Sequence, residues 1–190
     1  MFNKKILLLF FSFLFLINIS NAQDREQPPL RERMFFGGNF WMSFGTYTNI
    51  EVSPLVGFQV RPRLAVGSGI IYRYYKYKYD QIMPDGTHMY GFNVFSRYHI
   101  IPSFADFIPG LDMGIFVHVE YEGLSLDNYY DATSPTYNPG RFWLNSWLIG
   151  GGISQRMGQR GAINFTILYN LNESANSIES NPVIRIGINF

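Results

Sequence analysis

Seven charged residues stand out because each falls in a stretch where large apolar residues take every second position. They are Glu51, Arg73, Arg97, Asp112, Glu120, Glu122 and Arg185, and all lie on the side opposite the apolar set. His99 and His118 share that side. A charge removed from water is tolerated only when it is paired and hydrogen-bonded. Four acids set against three arginines therefore read as an ion-pair network that holds strands in register. Sharper chemistries fit less well. Glu120 and Glu122 are two apart, about 7 Å along an extended chain, a separation known from glycosidase carboxylate pairs, but one strand face offers no cleft for a sugar. His118-Val119-Glu120 has the form of a base and its orienting carboxylate, without a serine at a matching offset. Three dispersed histidines and no cysteine leave nothing for a tight metal site. Gly67-Ser68-Gly69 and Gly150–Gly152 would cradle phosphate only if a helix followed, and strand-like sequence follows both. No catalytic, metal or cofactor residue is assigned.

The elements that must position these residues are strands. From Met34 onward the chain falls into eight alternating runs, 36–45, 49–60, 64–79, 89–100, 111–124, 142–155, 162–171 and 181–190. The last is the cleanest, with Ile184, Ile186, Ile188 and Phe190 on one face and Val183, Arg185, Gly187 and Asn189 on the other. Run 162–171 repeats the pattern, and run 111–124 sets Met113, Ile115, Val117, Val119 and Tyr121 against Gly114, Phe116, His118, Glu120 and Glu122. The three glycines 150–152 blur the faces of the sixth run. Pro54 sits mid-run, where its missing N–H breaks a ladder, and predicts a bulge there.

Composition narrows the class. Of the 190 residues, 18% are aromatic and only 15% charged, with a net charge of +1; soluble domains carry about 25% charged residues. The absence of cysteine excludes a disulfide scaffold, a thiol nucleophile and a lipoprotein anchor. The near-neutral balance argues against a nucleic-acid partner. Lys4 and Lys5, an apolar stretch over 6–17, and Ser20-Asn21-Ala22 form a signal peptide, cleaved after Ala22. The stretch is too short for the roughly 20 residues of a spanning helix. Residues 23–33 are polar, contain Pro28-Pro29 and read as a flexible leader, and 34–190 form the folded domain.

Alternation alone does not say which face is inside. A soluble ligand barrel turns its apolar face inward, and a membrane barrel turns it outward. Eight strands enclose space for little more than filling side chains. The Gly-, Asn- and Ser-rich face suits that space, and the large aromatic face would crowd it. Charges are too few for a water-exposed outer wall. Aromatic residues gather near run ends (Phe36, Tyr72, Tyr98, Trp143, Trp147, Tyr169), as in interfacial girdles. The expected fold is all-β, an eight-stranded antiparallel transmembrane barrel. Turns at 61–63, 101–109 and 156–161 then face the periplasm, of which 101–109, with Phe104, Phe107 and Ile108, is long for such a turn, and loops at 46–48, 80–88, 125–141 and 172–180 face outward. The third run exceeds the 9–11 residues needed to cross, so 75–79 should project as a two-stranded hairpin with the start of the fourth run. Lys76 and Lys78 would lie on its outer face, within reach of lipopolysaccharide phosphates. His88 falls in the loop. Tyr129, Tyr130 and Tyr137 make 125–140 the best external recognition loop.

The terminal Phe190, on the apolar face of the last run, looks like the C-terminal signal read by the outer-membrane barrel assembly machinery. With the signal peptide and eight strands it resembles the small OmpA/OmpX-like outer-membrane barrels. More narrowly, Asn49-Ile-Glu-Val-Ser-Pro-Leu-Val-Gly-Phe58, Gly69-Ile-Ile-Tyr-Arg-Tyr-Tyr-Lys-Tyr77 and Asn181-Pro-Val-Ile-Arg-Ile-Gly-Ile-Asn-Phe190 are similar to a Bacteroidetes-type family of such barrels. The resemblance implies a fold and a place, the outer membrane, rather than an activity. The expected role is non-enzymatic: structural, binding, or that of an accessory subunit in a larger envelope complex. The alternatives are a lipid-modifying outer-membrane enzyme and a soluble periplasmic ligand barrel.

Overall fold

The computed structural model describes residues 29–79, 85–127, 140–158, 161–174, 177–178 and 181–190. The chain divides into residues 1–30 and 31–190, and only the second unit is described to any extent. Residues 1–22, read from the sequence as a signal peptide, and 23–28 of the expected leader lie outside the described residues, as do Tyr129, Tyr130 and Tyr137. A single helical turn, Leu30–Arg33, precedes the first strand.

Eight strands follow: β1 Met34–Ser43, β2 Tyr47–Arg61, β3 Leu64–Tyr77, β4 Thr87–Ile101, β5 Met113–Asp127, β6 Arg141–Met157, β7 Gly161–Asn170 and β8 Val183–Asn189. Each pairs antiparallel with its neighbours in sequence, and β8 returns to β1. The protein is a closed eight-stranded antiparallel barrel. Closure leaves no sheet edge, so the strand N–H and C=O groups find partners without water. The last residue completes the seam. Phe190 exchanges backbone hydrogen bonds with Phe36, at 2.7 and 3.1 Å, and its ring lies on the outer surface.

Burial shows which of the two alternating faces is inside. Phe40, Ile70, Val94, Trp143, Ile167 and Ile184, from six strands, stay exposed on the outer wall. Glu51, Arg73, Asn93, Glu120, Thr166 and Arg185 are buried in the lumen. The buried polar and charged residues are inside, and the outer wall is apolar.

Rings inside so narrow a barrel need room, and glycine on the facing strand supplies it. Gly67 faces Phe95, Gly152 faces Phe116 and Gly150 faces His118. A methyl group on Gly152 would sit 2.8 Å from Phe116 Cζ and collide with the Phe165 carbonyl. Within the glycine triplet that blurs the sixth run, Gly152 is therefore a seat for the Phe116 ring, and Gly150 lies against the β7 backbone at Ile167.

Three local expectations are corrected. Pro54 makes no bulge. It keeps its pairing to Gly38 on the β1 side, and on the β3 side the ladder passes from Val52–Tyr72 to Leu55–Gly69 in unchanged register. A missing N–H removes a bond without adding a residue, so nothing needs to slip. The register shift falls between Gln59 and Arg61, beside the tight Pro62-Arg63 turn. The projecting part of β3 is also not a two-stranded hairpin with β4. Tyr75, Lys76 and Tyr77 pair with Asn49, Thr48 and Tyr47 of β2, whereas only Tyr75 still reaches β4, at Thr87. Finally, His88 belongs to strand β4 rather than to a loop.

Candidate functional site

The lumen is stacked in three tiers. At the loop end, Ile71, Met89, Leu124 and Leu126 form a buried apolar cluster, with Tyr75, Phe142, Leu144 and Ile178 packed against it. Leu148, Leu168 and Val183 extend this apolar lining on the opposite wall. These residues sit on the inward parity of their strands, where the sequence had suggested mainly small and charged residues.

The ion network lies beneath this plug. Arg185 of β8 donates from Nη1 to Glu120 Oε1 at 2.5 Å and from Nη2 to Glu122 Oε2 at 2.6 Å, tying β8 to β5. Asn93 Nδ2 donates to Glu120 Oε1 at 2.9 Å, and His118 Nε2 lies 2.9 Å from Glu120 Oε2. On the other wall Arg73 binds Glu51, with Nε 3.0 Å from Oε2 and Nη2 closer still. None of these side chains exceeds a tenth exposed. A buried charge costs several kcal/mol in effect unless it is met in this way, and removal of one partner leaves the other uncompensated. Through Arg185 the network joins β8 to β5, strands distant in sequence, and through Arg73 and Glu51 it joins the neighbours β3 and β2.

Two of the seven predicted members stand apart. Asp112 has the correct parity but precedes the first residue of β5, so it sits at the mouth rather than in the lumen. Its side chain is 44% exposed, accepts from Ser103 Oγ at 2.8 Å and lies 3.8 Å from Arg156 Nε. Arg97 is inside but makes no ion pair with an acid among the described residues. Its guanidinium carbon stacks 4.3 Å from the Phe116 ring centroid and 5.8 Å from that of Phe95, and its Nε has no hydrogen-bond partner.

Arg97 marks the third tier. It forms the floor of a vestibule of about 310 Å³ at the turn end, lined also by His99, Ser154, Arg156 and Asn189. The cavities deeper in the lumen are about 10 and 20 Å³, room for a single water each. Two polar atoms on the lining of the smaller one, Asn93 Oδ1 and His118 Nδ1, have no protein partner among the described residues. Three inward rings, Phe95, Phe116 and His118, pack together between the vestibule and the network.

On the outer wall near the loop end, Lys76 is half-buried and Lys78 exposed, with Lys78 Nζ 5.9 Å from the Tyr79 ring centroid. A polar–aromatic cluster that the sequence reading missed lies beside them. Tyr72 Oη is 2.8 Å from His88 Nδ1, Tyr74 and Tyr90 flank these groups, and Arg141 binds the His88 carbonyl and Ser125. The signal was available: Tyr72, Tyr74, His88, Tyr90 and Arg141 all have outward parity at strand ends.

Among the described residues, no group of three His, Cys, Asp or Glu is placed to hold a metal ion. No family model matches the chain, and no curated protein does. Among solved structures, it is similar to the crystal structure of the N-terminal β-barrel domain of Pseudomonas aeruginosa OprF. The identity is 11%, the TM-score 0.46, and the match covers 83% of this chain and 94% of that domain.

Proposed function

We propose that the protein is a small outer-membrane barrel that acts without catalysis, as a structural or binding element of the cell envelope or as an accessory subunit of a larger complex. The observation that carries this is the inverted distribution of side chains, with the ion network inside and the apolar belt outside. Each large apolar side chain left in water forgoes roughly 1.5–3 kcal/mol, and a soluble protein rarely exposes so continuous an apolar surface. Lipid removes that penalty, and the closed ladder allows the backbone to enter lipid.

Further parts of the proposal follow from position. Phe190 is the assembly signal read by the barrel assembly machinery, its ring presented outward at the closing seam. Lys76 and Lys78, with the cluster around His88 and Arg141, contact lipopolysaccharide phosphates at the outer rim. Residues 1–22 serve as the signal peptide for export. The motifs around Pro54, Arg73 and Arg185 support a place among the Bacteroidetes-type barrels.

The test is extraction of the tagged protein from membranes in mild detergent, its native size, and mass spectrometry of what co-elutes. Recovery from the outer-membrane fraction as a micelle-sized particle supports a free-standing barrel. Co-elution with a defined envelope complex supports a subunit, with the exposed Phe107 and Ile108 as contact candidates. Recovery in the periplasmic extract without detergent overturns the membrane placement.

A further inference from the structure

The vestibule at the turn end has a one-sided charge. Arg97, His99 and Arg156 line it, and none of its described lining residues is acidic. Asp112, nearby at the mouth, already accepts from Ser103 and sits beside Arg156. Arg97 is the unusual member. It is only 7% exposed, yet its Nε has no hydrogen-bond partner. On its inner side it shares a cavity of about 10 Å³ with Glu120. Glu120 is already engaged by Arg185 and Asn93 through Oε1 and by His118 through Oε2.

A buried guanidinium without an acid leaves a strong planar donor set unused. The stacking on Phe116 holds its plane in place, so little rotamer freedom is lost when an acceptor arrives. Ser154 and Asn189 add neutral donors elsewhere on its lining. The volume, about 310 Å³, is at the lower end of small-ligand pockets, roughly 300–1,000 Å³. It exceeds what one or two ordered waters fill and is far below what a folded domain needs.

We propose that the vestibule is a binding site for a small oxyanion, a phosphate or a carboxylate-bearing group, with Arg97 as its fixed donor, Arg156 completing the positive wall and the His99 imidazole lining it. The vestibule opens at the end that faces the periplasm if the membrane placement holds. Binding in detergent does not depend on that placement, so either can fail alone.

The experiment uses the folded barrel in a neutral detergent, with folding checked by its heat-dependent gel mobility. It is titrated calorimetrically with inorganic phosphate, with succinate, and with sodium chloride at matched ionic strength. Saturable binding is expected, weakened about tenfold or more by Arg97→Met, which removes a charged donor, and about threefold by Arg156→Gln at the exposed rim. Phosphate alone, succinate alone or both supports the site and names its ligand class. If Arg97→Met does not fold, Arg97→Lys and Arg156→Gln carry the test, since both weaken binding if the fork and the positive wall matter. No saturable binding, heat reproduced by chloride, or affinities unchanged in the folded variants would overturn the proposal.

Discussion

The two ends of the lumen are built on opposite terms. At the loop end the barrel is closed by aliphatic side chains, with Leu124 and Leu126 almost without exposure and a residual cavity of about 20 Å³. At the turn end, rings seated on glycines leave an open vestibule of about 310 Å³ floored by an arginine. The ion network between them touches both. One barrel interior thus uses three kinds of filling, and among the described residues it is the turn end that keeps room for something from outside. The difference also gives each tier its own mode of failure: uncompensated charge in the middle, a cavity at the loop end, and overpacking or lost ligand at the turn end.

Substitutions can break this comparison tier by tier. The largest effect is expected in the middle. Arg185→Ala leaves Glu120 and Glu122 buried without their cation, and should cost about 4 kcal/mol, read as a lower urea midpoint in detergent. An unchanged midpoint would remove the network from the account. At the loop end, Leu124→Ala opens a cavity in the plug and should cost about 3 kcal/mol, measured by thermal melting followed by circular dichroism. At the turn end, Gly152→Val drives a branched side chain toward Phe116 and the Phe165 carbonyl, at about 2 kcal/mol. Added hydrogen exchange should be confined to β6 and its neighbours, and uniform exchange would contradict the ring-on-glycine seat. The smallest effect is at the rim, where Arg156→Gln replaces a side chain 55% exposed. Its melting point should move by no more than about 0.5 kcal/mol allows, so any loss of anion binding in this variant is not a folding effect.

The strands were legible in the sequence because the outer wall faces one environment along its whole length. A period of two with Ile, Val, Phe and Tyr on one side, as over 184–190, needs no knowledge of neighbours. The lumen was less legible because each inward residue answers to strands far away in sequence. Parity placed Glu120, Glu122 and Arg185 on the same inner face but could not say that Arg185 bridges the two glutamates. Asp112 has the same parity, yet the end of the strand puts it at the mouth, and parity carries no height. Arg97 counted as a network member because acids were plentiful, whereas in the structure Glu120 is already taken and Arg97 stacks on Phe116. The apolar plug was missed although Leu124 and Met89 share the inward parity of Glu122 and Asn93 on their own strands, because the inward face was expected to hold mainly small and charged residues. Pro54 marked an interrupted ladder correctly, but the interruption needed no extra residue.

The central claim, that the apolar face is the lipid face and the charged face is the lumen, can be tested at two adjacent residues of β7. The chain contains no cysteine, so Ile167→Cys and Thr166→Cys each give a single attachment point for a spin label in the barrel reconstituted into bilayers. The account predicts that the label at 167 is broadened by oxygen dissolved in lipid and untouched by a water-soluble nickel complex. The label at 166 should be immobilised and reached by neither. Nickel access at 167, or lipid-type oxygen access at 166, would contradict it.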